Sequence, residues 1–181
     1  MKNHIDVTLV RADIKDAREI HAMQVAAFRE LLEKYQDFET SPASESVEKV
    51  EARLRQDVTS YYFICVGQTK VGAVRVVDWK EYGKNKRISP IFIMPEFQGR
   101  GIAQEALRLC EEAHGSGNWE LDTILQEPKN CHLYEKMGYR RTGKTELVND
   151  RLTLVFYEKR QTPERLQQYF DGGWGDGKRT V

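Results

Sequence analysis

At 181 residues, with 40% of them apolar and 31% charged, the chain is long enough for one globular domain with a real core. Lysine plus arginine and aspartate plus glutamate number 28 each, so no overall field draws it to nucleic acid or an anionic membrane. The longest apolar runs are strand-sized, which excludes a transmembrane helix, and the opening Met-Lys-Asn-His-Ile-Asp lacks the apolar centre of a signal peptide. Cys65, Cys110 and Cys131 and the four scattered histidines form neither a CxxC pair nor a Cys/His cluster. No disulfide framework and no metal site is expected; the thiols read as small semi-buried side chains in a reducing, cytoplasmic setting.

In chain order, Val7 and Leu9 alternate with polar residues as an opening strand. Asp13, with Asp16 three residues on, caps a first helix whose apolar stripe is Ile14, Ala17, Ile20, Met23, Ala27, Phe28, Leu31 and Tyr35. The stretch from Tyr35 to Ser46 mixes aromatic, acidic and Ser/Pro residues without period and reads as a loop. Val47, Val50 and Leu54 mark a second helix. Residues 61–66 and 71–77 then form a hairpin around Gly67-Gln-Thr-Lys70.

Ile88-Ser-Pro-Ile-Phe-Ile-Met94 is a buried strand that Pro95 stops, because proline has no N–H to give a sheet. Gly99 and Gly101 flank Arg100, and Ile102, Ala103, Ala106, Leu107, Cys110 and Ala113 form the buried stripe of a third helix. A glycine-rich turn opening a helix presents unpaired N–H groups and the positive end of the helix dipole, a seat for phosphate. The turn lacks the GK[ST] end of a P-loop, and Gln104 stands where GxGxxG needs its third glycine, so neither a nucleoside triphosphate nor a dinucleotide fits the pattern. Trp119 to Leu125 reads as the next strand, which after a strand and a helix implies a parallel crossover. A short helix over 128–137 follows, with Gly138 just beyond it, then a hairpin of 139–147 and 151–159 around Val148-Asn-Asp150. The expected class is α/β: a mixed, largely antiparallel twisted sheet with flanking helices. Residues 1–160 are read as the domain and 161–181 as a tail, a short helix after Thr162-Pro163 and then a Gly-rich end.

Gln98, Gly101 and Ala103 occupy the defining positions of Q/R-x-x-G-x-G/A, and Leu133-Tyr-Glu-Lys-Met-Gly-Tyr139 stands one strand after the phosphate helix. The pair resembles the pyrophosphate signature and the (F/L)YEK(L/M)G(F/Y) segment of the GCN5-related N-acetyltransferases (GNAT), in their order and spacing, from the first strand to about Lys159. The resemblance implies the acyl-CoA N-acyltransferase fold, acetyl-CoA as cosubstrate without a metal, and a primary-amine acceptor, small molecule or peptide. It also implies frequent homodimers. The turn Gln98, Gly99, Arg100, Gly101, Ile102 and Ala103 would hold the pyrophosphate, and the backbone of Phe92, Ile93 and Met94 would pair with the pantetheine arm. Arg100 either screens a phosphate or is an exposed turn arginine.

Tyr134 matches the family's tyrosine that protonates the leaving sulfur; otherwise it is a tyrosine packed on an amphipathic helix. A phenol suits the task, being protonated at neutral pH. Where the family often has an asparagine contacting the cofactor, seven residues before this tyrosine, the chain has Glu127. Asn130 contacts the cofactor, caps the short helix, or does both. The general base is not assigned: Asp78, Glu81 and Glu127 are the acids considered, and the 35–46 loop, with Tyr35, Asp37, Phe38 and Glu39, would line the acceptor groove. The alternative function is a non-catalytic coenzyme A sensor or interaction module, which would keep the turn without needing Tyr134. A nucleotide-binding regulator is disfavoured by the missing Walker lysine.

Overall fold

The computed structural model describes residues 5–115 and 117–160; the expected tail helix over 161–181 lies outside them. Strand β1 (Val7–Arg11) leads to Asp13, which through a reciprocal box caps a 3-10 turn (Ile14–Asp16) that runs into α1 (Ala17–Tyr35). Asp13 Oδ1 accepts from the Lys15 amide at 2.7 Å, and Asp16 Oδ2 accepts from the Asp13 amide at 2.9 Å. A left-handed Gln36 ends α1, its amide bonded to the Leu32 carbonyl. After the loop comes α2 (Val47–Leu54), then β2 (Thr59–Val66) and β3 (Thr69–Val77), joined by a tight turn at Gly67. Further on lie β4 (Lys86–Ile93), α3 (Ile102–His114), β5 (Trp119–Ile124), α4 (Pro128–Lys136), β6 (Arg140–Leu147) and β7 (Thr153–Lys159).

Among the described residues seven strands form one sheet in the order β1-β2-β3-β4-β5-β7-β6. Every pairing is antiparallel except β4 with β5, the crossover that α3 makes. Neighbouring residues of β2 divide between the two faces, as a strand's alternation demands: Phe63 and Cys65 pack under α1 and α2 with Ile20 and Val50, while Ile64 joins Leu107, Cys110 and Leu121. Each such side chain, taken fully out of water, contributes about 1.5–3 kcal/mol. At Gly72 the chains approach so closely that a Cβ would sit 2.2 Å from the Phe92 carbonyl oxygen, so the β3–β4 contact depends on glycine.

The β4–β5 ladder has only two rungs, Lys86 with Trp119 and Arg87 with Glu120. Beyond them β5 pairs only with β7 and β4 only with β3, so the two strands separate and leave a wedge.

Candidate active site

The wedge has a backbone edge on one side. Met94 donates its amide to the Val71 carbonyl at 2.8 Å. In an antiparallel ladder successive residues face opposite directions, so Phe92 also bonds toward β3, whereas Ile91 and Ile93 turn their amide groups toward the wedge. The Met94 carbonyl accepts from the Phe97 amide at 2.9 Å, so of the residues expected to pair with a cofactor, Met94 has its backbone engaged and Ile93 has its N–H outward. Phe92 instead places its ring edge-on against Phe28 of α1, 5.7 Å between centroids.

The turn after β4 is tied to the strand by its own side chains. Gln98 Nε2 donates to the Ile93 carbonyl at 2.9 Å, and Arg100 Nη2 donates to the Glu96 carbonyl at 2.8 Å with its guanidinium 5.5 Å from the Phe97 ring centre. Gly99 and Gly101 have φ of 73° and 79°, where L side chains are strained, yet a Cβ at either would meet nothing within 4 Å. Glycine is needed there for conformation, and the space in front is open. Gly101 is the N-cap of α3 and supplies no side-chain acceptor, so the first-turn amides, those of Ile102 and Ala103 among them, get no side-chain cap. Open, uncapped and dipole-positive, this end fits a pyrophosphate.

The other side of the wedge is a cleft of about 210 Å³ reached by α1, the α1–α2 loop, β4, β5, α4 and β7. Tyr134 and Asn130, one turn apart on α4, both line it. Tyr134 packs edge-on to Tyr139 and tilted on Tyr157, with ring centres 6.2 and 6.1 Å away. The Tyr139 hydroxyl is spent on Glu111 and the Tyr157 hydroxyl on Glu135, whereas that of Tyr134 makes no hydrogen bond among the described residues. Burial first, and then the nearby Asp122 charge, push the Tyr134 phenol well above its ordinary pKa. It is a protonated donor without a partner. Asn130 does not cap α4: Glu127 holds the N-cap position, Pro128 opens the helix, and Asn130 sits inside the first turn facing the cleft.

The acids considered from sequence are placed elsewhere or engaged. Asp78 lies by His114 (3.7 Å), at the end where β4 and β5 are zipped, and Glu81 pairs with Lys84 on the adjoining connection. Glu127 accepts from Lys34 at 2.6 Å and from the Tyr35 hydroxyl at 2.5 Å; despite partial burial, these bonds hold its carboxyl below the usual range. Of the loop residues, Asp37 lines the cleft, Tyr35 is committed to Glu127, and Phe38 is exposed to solvent. Sequence reasoning missed Asp122, which lines the cleft and contacts Arg87. Burial, opposed by Arg87, raises its carboxyl. The only signal was its alternation with Leu121 on a strand, which gives a face but no partner.

Compared with known proteins, residues 25–139 match the model of the acetyltransferase (GNAT) family. The chain belongs to the GNAT family. No curated protein sequence matches it. Among solved structures it is similar to a spermidine N-acetyltransferase from Vibrio cholerae in complex with CoA and spermine, at 21% identity and a TM-score of 0.68, covering 86% of this chain and 95% of that one. An acetyltransferase from Thermus thermophilus gives 18% identity and 0.65 over 87% and 99%. A ribosomal L7/L12 α-N-protein acetyltransferase in complex with coenzyme A gives 15% and 0.65 over 87% and 96%. At these identities the likeness speaks for the fold, and the mixed seven-stranded sheet with flanking helices is the GNAT fold. No helix among the described residues is long and apolar enough to cross a membrane.

Proposed function

We propose that this GNAT protein moves the acetyl group of acetyl-CoA to a primary amine by direct attack, with Tyr134 as the acid that protonates the leaving sulfur. The observation behind the role of Tyr134 is its hydroxyl: protonated, unpartnered, and lining the cleft where β4 and β5 part. Acetyl-CoA supplies the acyl group as an activated thioester. The chain's own groups do the rest. Amides from Gly99 to Ala103 take the pyrophosphate, with Gln98 bracing the turn and Arg100 held across it. The outward amide of Ile93, and that of Ile91 before it, offer the free strand edge to the pantetheine arm. An N–H there also meets negative charge growing on a carbonyl oxygen. Asn130 adds an amide side chain on the same wall as Tyr134.

Residues 1–160 form the catalytic domain in this proposal. The three free, buried cysteines suit a reducing cytoplasm, and the open β6 edge, exposed along its whole length, is where a homodimer would pair. The test is Tyr134→Phe with acetyl-CoA and a panel of amines and peptides, following free thiol. Turnover should fall about 100-fold or more while coenzyme A affinity stays within about twofold. Unchanged turnover would leave a coenzyme A-binding module whose tyrosine is only packing.

A further inference from the structure

We propose that Asp122 receives the ammonium group of the acceptor and takes its proton, and that the acceptor is a primary amine with an apolar body and no second cation. The proposal rests on the N-acetyltransferase reading and names the base and the substrate class for that site.

Phe28 and Leu31 from α1, Ile91 from β4, Ile124 from β5, and Leu152 and Leu154 around the start of β7 give the cleft an apolar surface, beside the uncharged polar Thr40, Ser41, Ser89, Thr123 and Asn130. Two carboxylates line it, Asp37 and Asp122. Asp37 is consumed by its own turn: Oδ1 accepts from the amides of Glu39 (3.2 Å) and Thr40 (2.8 Å), and Oδ2 accepts from the Thr40 hydroxyl at 2.5 Å. Asp122 differs. Its Oδ1 meets Arg87, and its Oδ2 has no hydrogen bond among the described residues. It stands two residues past the last β4–β5 rung, at the point where the strands separate, on the wall that also holds Tyr134.

Charge favours a cation at that oxygen. Arg87 is shared between Asp122 and Glu120, the latter at 3.4 Å, so one guanidinium faces two carboxylates and the group keeps a net negative charge. The charged and titratable groups acting most strongly around Asp122 are Arg87 on β4, Glu120 on its own strand, Glu146 on β6 and Tyr134 on α4, with the buried Arg75 of β3 behind Arg87. Arg87 is the one cation among the groups acting directly on Asp122, and it is opposed by two carboxylates. A second ammonium, as in a polyamine, would find no carboxylate with a free oxygen in this lining.

An N–H bond of the ammonium breaks, its electron pair stays on nitrogen, and the proton binds Oδ2 of Asp122, then leaves to water at the cleft mouth. The nitrogen can attack the thioester carbon only with that pair free, so the transfer to Asp122 precedes bond formation, and burial, which raises this carboxyl, makes it a better proton acceptor.

The experiment uses 2-phenylethylamine and spermidine as probes against the full chain, wild type, Asp122→Asn and Asp122→Glu, with coenzyme A bound. Asparagine keeps the side chain's shape and can still accept from Arg87. By calorimetry, Asp122→Asn should bind phenylethylamine about tenfold or more weakly, with Asp122→Glu intermediate and coenzyme A affinity unchanged in all three. With acetyl-CoA, Asp122→Asn should lose about 100-fold in kcat/KM and the acidic limb of its pH–rate profile. Phenylethylamine should exceed spermidine in kcat/KM. Wild-type affinity and an intact acidic limb in Asp122→Asn would overturn the proposal. So would a preference for spermidine, or a wild type that binds coenzyme A but neither binds nor acetylates phenylethylamine. If coenzyme A itself fails to bind, the N-acetyltransferase reading falls, and this inference with it.

Discussion

The two ends of the β4–β5 seam are made from the same pair of strands and do opposite work. At one end the strands are zipped, and the site is filled with side chains that satisfy each other. Trp119 is 2% exposed, His114 packs edge-on to it and shares a 3.0 Å hydrogen bond with the Tyr62 hydroxyl, and the Lys86 amide donates to the Asn118 carbonyl at 2.8 Å. At the other end the ladder stops, and groups are left without partners among the described residues: the outward amide of Ile93, the uncapped start of α3, the Tyr134 hydroxyl and Asp122 Oδ2. Unmade hydrogen bonds cost stability, so they persist where a ligand completes them. The seam thus separates the part of the molecule that holds it together from the part proposed to act.

That contrast can be broken by mutation at either end. The largest effect is expected from Trp119→Ala: emptying the packed end should cost about 3–5 kcal/mol in chemical denaturation, with coenzyme A still bound by the folded fraction. A loss of coenzyme A binding without a loss of stability would mean that the two ends are not separate. Next is Gly72→Ala. Its methyl group would press on the Phe92 carbonyl and push β3 from β4, with an expected cost of about 1–3 kcal/mol. A neutral result would show that the strand spacing adjusts freely.

Gly101→Ala probes the open end. The new side chain meets nothing, so its cost is the backbone's alone, about 1–2 kcal/mol for a left-handed residue. If the amide rotates to relieve that strain, coenzyme A affinity should fall about tenfold, which calorimetry reads directly. Unchanged affinity would remove the α3 terminus from the cofactor site.

The smallest effect concerns pH at the packed end. Burial lowers the His114 pKa, more than Asp78 raises it. The unfolded chain therefore takes up a proton first as pH falls below the ordinary histidine value, and stability is full above that value and lost below it. His114→Gln should flatten the decline in urea midpoint between about pH 7.5 and about pH 5.5. An equal decline in both proteins would assign it to another group.

Much of this was legible in the residues themselves. Asp13 with Asp16, the positive-φ glycines at the turn and the stripe of α3 announce local structure, because caps, periods and turns act within a few residues. The Gln98–Ala103 turn and the segment around Tyr134 are contiguous, and so both were readable as the candidate cofactor seat and the candidate acid. What the chain's order does not encode is which groups meet across it. That Glu127 goes to Lys34 and Tyr35, that Gln98 braces Ile93, and that Asp122 alone among the cleft's lining acids keeps a free oxygen depend on strand register and on where β4 and β5 part. Sequence determined the pieces and the place proposed for the cofactor. The place proposed for the acceptor emerged only when separate strands and helices came together, because a charge acquires its partner, and its pKa, from neighbours distant in the chain.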